Sequence, residues 1–347
     1  MKIVIAIDSF KGCLSSSEAN RAAAEGVLEA LPGAGVREIP VSDGGEGFTE
    51  AMTAGLADSR KDGKTERKTV TVHDPLMREV EAHYLLAGET AVMEVAEACG
   101  LNLLKPEERN PLIATSYGVG EMIADAIQHG AKHIIVGLGG SGTSDAGRGM
   151  VDGLTDVRTD GIRFTIATDV NNPLCGPNGA AHVYGPQKGA TPEMVETLDA
   201  QAREFANGMA KTMGVDRSEE PGAGAAGGLG YAFMQFLGAE RRSGIDLLLE
   251  TIGFDALAKD ADLVITGEGA ADRQTLMGKL PTGILRHSGT TPVMLIAGRI
   301  SDRETLLEAG FAKVECINPP ELPLEEALRP EVAEENIRRT VSVMVKV

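Results

Sequence analysis

Tryptophan is absent from the sequence, and aromatic residues make up only 3% of it. Because hydrophobic residues still reach 42%, any core must be built from aliphatic side chains. No apolar run approaches the length of a membrane span, and the chain begins with a predicted strand instead of a signal peptide. These features predict a globular cytoplasmic protein without a membrane partner. Its 347 residues are enough for two domains.

Basic residues are in the minority, with 33 Lys and Arg against 51 Asp and Glu and a formal net charge of −18. The sequence lacks the basic patch or stripe that nucleic-acid-binding proteins carry, so we expect no nucleic-acid partner. An anionic ligand must therefore be bound locally, by backbone amides, a few Lys or Arg and a metal ion. The cysteines form no C-x-x-C pair, which argues against disulfides and zinc; they are Cys13, Cys99, Cys175 and Cys316.

Several common catalytic motifs are missing. Gly278-Lys279 lacks the upstream glycine and the following Ser or Thr of a Walker A loop, and neither H-E-x-x-H nor G-x-S-x-G occurs. Residues 222–230 contain a formal G-x-G-x-x-G, but residues 216–221 before it are polar. A dinucleotide-binding motif needs a strand there, so we reject a nucleotide-dependent oxidoreductase. Residues 222–230 are then a closely packed helix entry or a phosphate contact.

The sequence does contain short aliphatic runs that each end in a turn of glycine and acidic residues. Such runs are typical of buried parallel strands, and ligands bind beyond the carboxyl ends of those strands. The runs alternate with helices, the first of which opens at the capping box Ser15–Glu18. This pattern predicts a flavodoxin-like doubly wound α/β sheet with the strand order 2-1-3-4-5. Its predicted strands are 3–7, 36–41, 262–266, 292–297 and 313–317, and its later helices are 45–56, 276–287, 302–309 and 332–344.

The middle of the chain has a different pattern. Residues 65–72 and 79–86 alternate apolar and polar side chains, as an antiparallel pair would. Further strands are predicted at 91–95, 134–137 and 162–167, and helices at 116–130 and 191–213. We interpret this region, 68–250, as a second α/β domain with a mixed sheet, inserted into an outer domain formed by 1–67 and 251–347.

The segment Asp43-Gly44-Gly45-Glu46-Gly47 follows the second predicted strand. Asp43 and Glu46 have the spacing of a helix cap. Two adjacent glycines, however, weaken a helix start unless a ligand approaches the backbone closely. The segment is therefore either a cap or a site at which carboxylates hold Mg²⁺ or orient a hydroxyl.

Residues 137–147, GLGGSGTSDAG, follow an aliphatic strand and contain too much glycine for a packing loop. Free N–H groups in such a loop suit phosphate or carboxylate oxygens, so we favour ligand binding. Asp169 and Asn171 also follow a strand, where Asx turns would explain them equally well. Lys188 lies in a turn, and most such lysines are merely solvated.

Glu268 and Asp272 lie beyond a central strand of the outer domain. Asp272 has the position of a helix cap. The alternative is that the two acids hold Mg²⁺ or act as a base.

Taken in order, the motifs DSFKG, DGGEG, GLGGSGTSDAG, DVNNPLCG, GPQKGA, GAGAAGGLG, VITGEG and GKLPTG resemble those of the bacterial class I glycerate kinases (glycerate 2-kinase type). The resemblance covers the chain from residue 1 to about 300. It implies phosphorylation of D-glycerate, on the 2-hydroxyl, with ATP and Mg²⁺. It also implies two α/β domains, one inserted in the other, with the active site in the cleft between them.

Phosphoryl transfer requires cations, metal ligands, a base and an anion-binding cradle. The candidate catalytic residues are Asp169 or Asp43 as the base and Lys11 as a cation. The candidate metal ligands are Glu268 and Asp272. The candidates for binding substrate or phosphate are Ser9, Gly44, Gly45, Glu46, Gly139, Gly140, Ser141, Thr143, Asp145, Asn171, Lys188, Gly224, Gly227, Gly228 and Arg299.

The sequence also departs from the pattern that it resembles. Ile7 stands where those kinases usually have Pro, and Ala270 stands where they usually have Arg; the connection between Met150 and Phe164 is shorter. If that arginine holds phosphate or carboxylate, this chain must replace it or be slower. The alternative is therefore a non-catalytic or substrate-shifted protein that binds a small hydroxy acid or a nucleotide. A homodimer is one option for the assembly.

Overall fold

The computed structural model describes residues 1–10, 12–42, 44–45, 47–59 and 65–346. The candidate site residues Lys11, Asp43 and Glu46 lie outside the described residues. The chain forms two compact units: unit 1 contains 1–43, 50–59 and 245–347, and unit 2 contains 44–49 and 60–244. In the described part of the chain, no helix is both long and apolar enough to cross a bilayer.

The strands, in chain order, are β1 (Lys2–Ile7), β2 (Gly35–Glu38), β3 (Thr65–His73), β4 (Glu79–Ala87), β5 (Thr90–Glu94), β6 (His133–Gly137), β7 (Arg163–Ala167), β8 (Glu240–Arg242), β9 (Leu263–Ala271), β10 (Val293–Ile300) and β11 (Lys313–Cys316).

The α-helices are α1 (Ser16–Ala30), α2 (Phe48–Ser59), α3 (Ala96–Cys99), α4 (Tyr117–Gln128), α5 (Arg148–Gly153), α6 (Ala180–Tyr184), α7 (Pro192–Met213), α8 (Ala225–Leu237), α9 (Gly244–Thr251), α10 (Phe254–Lys259), α11 (Leu280–His287), α12 (Arg303–Glu308), α13 (Leu324–Ala327) and α14 (Pro330–Met344). Short 3₁₀ helices lie at Leu101–Leu103, Pro106–Glu108, Pro186–Lys188 and Arg273–Met277.

The sheet of unit 1 is parallel throughout and has the order β2-β1-β9-β10-β11. This is the predicted flavodoxin-like order 2-1-3-4-5, so the predicted fold class is confirmed. Ile3, Ile5 and Ile7 of β1 are buried against alanines of α1 and against α14, and each such side chain stabilises the fold by about 1.5–3 kcal/mol. The buried Asn20 accepts a hydrogen bond from the Ile7 N–H (2.9 Å) and donates one to the Ile39 carbonyl (2.8 Å). It therefore holds the chain in place where β1 and β2 end.

The sheet of unit 2 is mixed, as predicted, with the order β3-β4-β5-β6-β7-β8. β3, β4 and β5 pair antiparallel, and β5 to β8 pair parallel. The core contains the buried Tyr84, Met93, Met122 and Ile134, contributed by three strands and α4. The carboxyl ends of the parallel strands β5, β6 and β7 lie side by side, so the turns that follow them collect at one edge of the sheet.

Several predicted elements need correction, and one strand was missed. β9 runs on to Ala271, not to residue 266, so Glu268 lies within the strand and not beyond it. β2 ends at Glu38, not at residue 41, because Pro40 has no N–H to donate to a strand ladder. α11 begins at Leu280, not at 276, because a 3₁₀ turn precedes it and ends at Gly278 with φ +98°. β8 was not predicted, since its Glu-Arg-Arg sequence gives no aliphatic run.

Candidate functional site

Residues 137–147, which we call the glycine loop, leave β6 at the collected edge of the unit 2 sheet. A Cβ atom at Gly139 would lie 2.4 Å from the Gly45 Cα, so only glycine permits the turn at 44–45 to approach. Gly140 has a left-handed φ of +71°, which glycine adopts without strain. The Leu138 N–H donates to the Ala167 carbonyl (3.1 Å). These constraints explain why the loop is rich in glycine.

The glycine loop presents backbone donors that the described residues leave unused. Within that part of the chain, the N–H groups of Gly139, Gly140 and Ser141 make no hydrogen bond. Successive backbone N–H groups in a loop of this kind bind anionic oxygens. The loop is therefore a candidate cradle for a phosphate or a carboxylate.

Lys188 lies under the glycine loop and is only 2% exposed. Its Nζ atom donates to the Ser141 Oγ (3.0 Å) and to the Thr143 carbonyl (2.6 Å). Burial lowers the pKa of Lys188 to about 8, although Cys99 and Asp145 act in the opposite direction. The solvated role considered from the sequence is thus wrong, because this ammonium is directed into the loop.

Asp145 has several partners. Its carboxylate accepts from the N–H and the hydroxyl of Ser116 (both 2.8 Å) and from the N–H groups of Gly147 (3.0 Å) and Gly149 (3.1 Å). Ser116 in turn accepts from the Met150 N–H (3.1 Å). These hydrogen bonds hold the first turns of α4 and α5 against the glycine loop, so Asp145 stabilises the conformation of the loop.

Residues 222–228 brace the glycine loop from another side. Ala226, Gly227 and Gly228 are all left-handed, with φ between +51° and +94°. A Cβ atom at Gly227 would lie 2.0 Å from the Thr143 carbonyl oxygen, and one at Gly224 would lie 2.3 Å from the Pro173 carbonyl oxygen. Close packing of the kind expected at a helix entry therefore explains these glycines.

The segment after β7 is half-buried at Asp169 and exposed at Asn171. The Asn171 Oδ1 atom accepts from the Arg241 guanidinium (2.6 Å), which also donates to the Val170 carbonyl (3.2 Å). This hydrogen bond joins Asn171 to β8, and Asp169 lies at the same sheet edge as the glycine loop.

Glu94 and Ser116 belong to this region and were not singled out from the sequence. Glu94 ends β5, is 9% exposed and accepts from the Thr49 N–H (2.8 Å). Burial raises the pKa of the Glu94 carboxyl. The sequence did contain a signal for Glu94, because it is an acid near the end of a predicted strand, the same pattern that selected Glu268. Ser116 gave no such signal, since its role depends on a contact with residue 145.

A second cluster lies in unit 1, at the carboxyl end of β9. Glu268 is 8% exposed and accepts from the Thr275 hydroxyl (2.5 Å) and from Lys279 Nζ (3.4 Å). Burial raises the pKa of the Glu268 carboxyl. Asp272 accepts from the Gln274 N–H (2.7 Å) and caps the 3₁₀ turn, so the cap that the sequence suggested is confirmed.

Arg299 lies on β10 directly beside Ala270 of β9. Its side chain is exposed and, within the described residues, makes no ion pair or hydrogen bond. Near the end of β1, the Ser9 N–H donates to the Asp8 carboxylate (2.8 Å). The unit 1 cluster therefore offers one guanidinium that is available to an anion.

The described residues contain no group of three or more His, Cys, Asp or Glu side chains able to hold a metal ion. A magnesium site needs fewer protein ligands than such a group, because Mg²⁺ is usually bound by one or two carboxylates together with substrate phosphates and water. Glu268 fits such a role, since a nearby cation would offset the cost of its buried charge.

Known proteins resemble this chain over nearly its whole length. A model described as the glycerate kinase family matches residues 3–159 and 154–347. Glycerate kinase of Bacillus subtilis (strain 168) is 40% identical, with 98% of this chain and 96% of the relative covered. Glycerate 2-kinase of Escherichia coli (strain K12) is 40% identical, with 87% and 86% covered. A crystal structure described as a glycerate kinase 2 from Salmonella typhimurium LT2 has a TM-score of 0.81 at 38% identity and covers 100% of this chain and 98% of its own.

The fold and these relatives define an α/β kinase that acts on a small molecule and uses a nucleotide cosubstrate. The chain belongs to the glycerate kinase family, as the order of its motifs predicts. The prediction that it is an enzyme of this kind is thereby confirmed.

Proposed function

We propose that this chain transfers the γ-phosphoryl group of ATP to the 2-hydroxyl of D-glycerate in the presence of Mg²⁺. The observation that carries the proposal is the glycine loop, whose N–H groups at Gly139, Gly140 and Ser141 are unused by the described residues and lie above the buried Lys188. Both ATP and glycerate present anionic oxygens that such a loop binds. The names of the relatives support glycerate as the acceptor.

The reaction breaks the bond between the γ-phosphorus and the β,γ-bridging oxygen of ATP. It forms a bond from the γ-phosphorus to the glycerate O2 atom, and the hydroxyl proton passes to a base. Asp169 and Asp43 are the candidates for that base. When bound, Mg²⁺ neutralises charge on the phosphates, and Glu268 and Asp272 would hold it.

The remaining candidates would bind and orient the two substrates. Arg299 and Lys11 supply cations for phosphate or carboxylate oxygens. Asp145, Gly227 and Gly228 act through the shape of the glycine loop, because their contacts are made within the loop or to it. Gly224 acts one step further away, because its close approach is to the Pro173 carbonyl. The other proposed contacts are Ser9, Gly44, Gly45, Glu46, Thr143 and Asn171.

A coupled ADP-release assay with ATP, Mg²⁺ and D-glycerate tests the proposal, with L-glycerate, tartronate and hydroxypyruvate as alternative acceptors. NMR of the product then distinguishes 2-phosphoglycerate from 3-phosphoglycerate. We expect turnover with D-glycerate, loss of turnover with EDTA, recovery with added Mg²⁺, and 2-phosphoglycerate as the product. Turnover only with another acid would indicate a shifted substrate. Stabilisation by ligands without turnover on any acid would contradict the kinase proposal.

The proposal includes a cytoplasmic location, where ATP is abundant and the four separated cysteines stay reduced. It includes no nucleic-acid partner, in keeping with the net charge of −18. A homodimer is proposed for the assembly, and light scattering of the purified chain tests it.

A further inference from the structure

The hydrogen bond between Lys188 and Ser141 has a fixed direction. An ammonium group has three donors and no acceptor, so the Ser141 Oγ atom must accept in its 3.0 Å contact with the Lys188 Nζ atom. A serine hydroxyl has one hydrogen and two lone pairs. The Ser141 hydrogen is therefore directed away from Lys188 and is free to be donated elsewhere.

No acceptor for that hydrogen lies in the described part of the chain. Within the described residues, the Ser141 side chain makes a single hydrogen bond, which it accepts from Lys188. Ser141 is 6% exposed, and a buried hydroxyl without an acceptor is costly. Its N–H, together with those of Gly139 and Gly140, is also unused there. The three N–H groups and the Ser141 hydroxyl are thus four neighbouring donors without an acceptor among the described residues.

Within the described residues, the buried ammonium also has no carboxylate partner, because both hydrogen-bond acceptors of the Lys188 Nζ atom there are uncharged oxygens of Ser141 and Thr143. The titratable groups that act on Lys188 are Cys99 of α3 and Asp145 of the glycine loop. Because the Asp145 carboxylate is already bound to Ser116, Gly147 and Gly149, an anion on the loop would supply the missing negative charge.

We propose that Ser141 donates its hydroxyl hydrogen to an anionic oxygen of the bound ligand, and that Lys188 is the positioning residue that makes this hydroxyl a donor. The chemistry is shared by a phosphoryl oxygen of the nucleotide and the carboxylate of glycerate. The identity of the ligand rests on the proposed function, whereas the direction of the hydrogen bond does not.

Deprotonation of Lys188 should reverse this arrangement. A neutral amine has a lone pair that can accept the Ser141 hydrogen, which then competes with the ligand. Burial lowers the pKa of Lys188 to about 8, so ligand affinity should fall as the pH rises through this value. An anion on the loop favours the charged lysine and therefore moves the decline to higher pH in the complex.

The test uses Ser141→Ala, Lys188→Met and the double variant, with Lys211→Met as the control at an exposed lysine of α7. We expect Ser141→Ala to raise one KM, for ATP or for D-glycerate, by about 10-fold or more, and Ser141→Thr to restore most of the loss. The KM that changes identifies the ligand. Because Lys188 orients the Ser141 hydroxyl and also attracts the anion by its charge, the loss in the double variant should exceed that of Ser141→Ala but stay below the product of the two single losses. The fall in affinity above pH 8 should be absent from Lys188→Met and present in Lys211→Met.

Unchanged KM values in Ser141→Ala would overturn the inference. A double variant whose KM increase equals the product of the two single increases would overturn it as well. If Lys188→Met does not fold, the comparison of Ser141→Ala with Ser141→Thr still decides the role of the hydroxyl. If the wild-type chain shows no glycerate-dependent turnover, the proposed function fails separately. Calorimetric binding of ADP and of D-glycerate to the same variants then tests the hydroxyl, and unaltered binding, or none to the wild type, would overturn it.

Discussion

Burial changes the pKa of one carboxyl group in each of the two clusters. Glu268 and Glu94 are 8% and 9% exposed, and burial raises the pKa of each carboxyl. Glu94 is bonded to the N–H of Thr49, whereas Glu268 faces a hydroxyl and an ammonium. A carboxylate whose charge is poorly solvated gains most from a nearby cation. Glu268 is therefore the residue at which a magnesium requirement is best tested.

Glu268→Gln should raise the Mg²⁺ concentration needed for half-maximal turnover by about 10-fold or more. The amide can still accept from the Thr275 hydroxyl, so the local structure is kept while the charge is lost. Turnover is measured against Mg²⁺ concentration at fixed ATP. Glu308→Gln, at an exposed position of α12, controls for the loss of one negative charge. An unchanged magnesium dependence would exclude Glu268 as a ligand.

Glu94→Gln should alter the pH dependence of stability. Since the folded pKa of Glu94 is raised above its ordinary value of 4.5, the folded protein binds more protons than the unfolded chain between these two pKa values. Stability from this group is present below pH 4.5 and falls as the pH rises through the window, by about 1.4 kcal/mol for each pH unit that separates the two pKa values. Urea unfolding at pH 4 and pH 7 should show wild type losing stability relative to Glu94→Gln. Equal differences at both pH values would contradict the raised pKa, and Glu107→Gln provides the exposed control.

At the scale of secondary structure, the left-handed run at the start of α8 supports the glycine loop. Gly227→Ala should destabilise unit 2 by about 2–4 kcal/mol, because alanine must adopt φ +70° and its Cβ would lie 2.0 Å from the Thr143 carbonyl oxygen. Gly208→Ala is the matched control, since its Cβ would meet nothing within 4 Å and should stabilise α7 by up to about 1 kcal/mol. Urea denaturation measures both, and a neutral Gly227→Ala would contradict the packing described.

The elements that could be predicted from sequence are those with a local signal. The aliphatic run of β1, the capping box at Ser15 and the cap at Asp272 each depend on neighbouring residues, and each was confirmed. β8 has no such signal, because Glu240–Arg242 is a strand only through pairing with β7. The same applies to the site: the glycine loop was visible in the sequence, whereas the contacts of Lys188 with residues 141 and 143 join distant segments.

The register between β9 and β10 leads to a further prediction. Arg299 lies beside Ala270, and Ile300 lies beside Ala271, so an arginine at either 270 or 299 would lie at the same point of neighbouring strands about 4.8 Å apart. Arg299→Ala should therefore raise KM for ATP or D-glycerate by about 10-fold, and adding Ala270→Arg should recover much of the loss. Steady-state kinetics measure both effects. Arg158→Ala, at an exposed position of unit 2, is the control, and failure of Ala270→Arg to rescue would contradict the replacement.

At the scale of the whole molecule, the chain carries a net charge of −18, whereas the proposed function requires it to bind two anions. Long-range attraction cannot provide this binding, because the overall field is repulsive. The two compact units instead each hold a local cluster: the glycine loop and Lys188 in unit 2, and Glu268 with Arg299 in unit 1. If phosphoryl transfer uses both clusters, ligands must order both.

Hydrogen–deuterium exchange tests this requirement on the intact chain. With Mg²⁺, ADP and D-glycerate present together, we expect slower exchange in residues 138–145 of the glycine loop and in residues 267–279, which run from the end of β9 through the 3₁₀ turn. Residues 196–211 of α7 serve as the internal control. Each ligand added singly then shows which cluster it orders.

A loop donor that is bonded to a ligand oxygen exchanges only when the ligand leaves, so protection should follow ligand concentration. Protection of one segment alone under all conditions would mean that the other cluster takes no part in binding. The roles of Glu268 and Arg299, or of Ser141 and Lys188, would then have to be withdrawn.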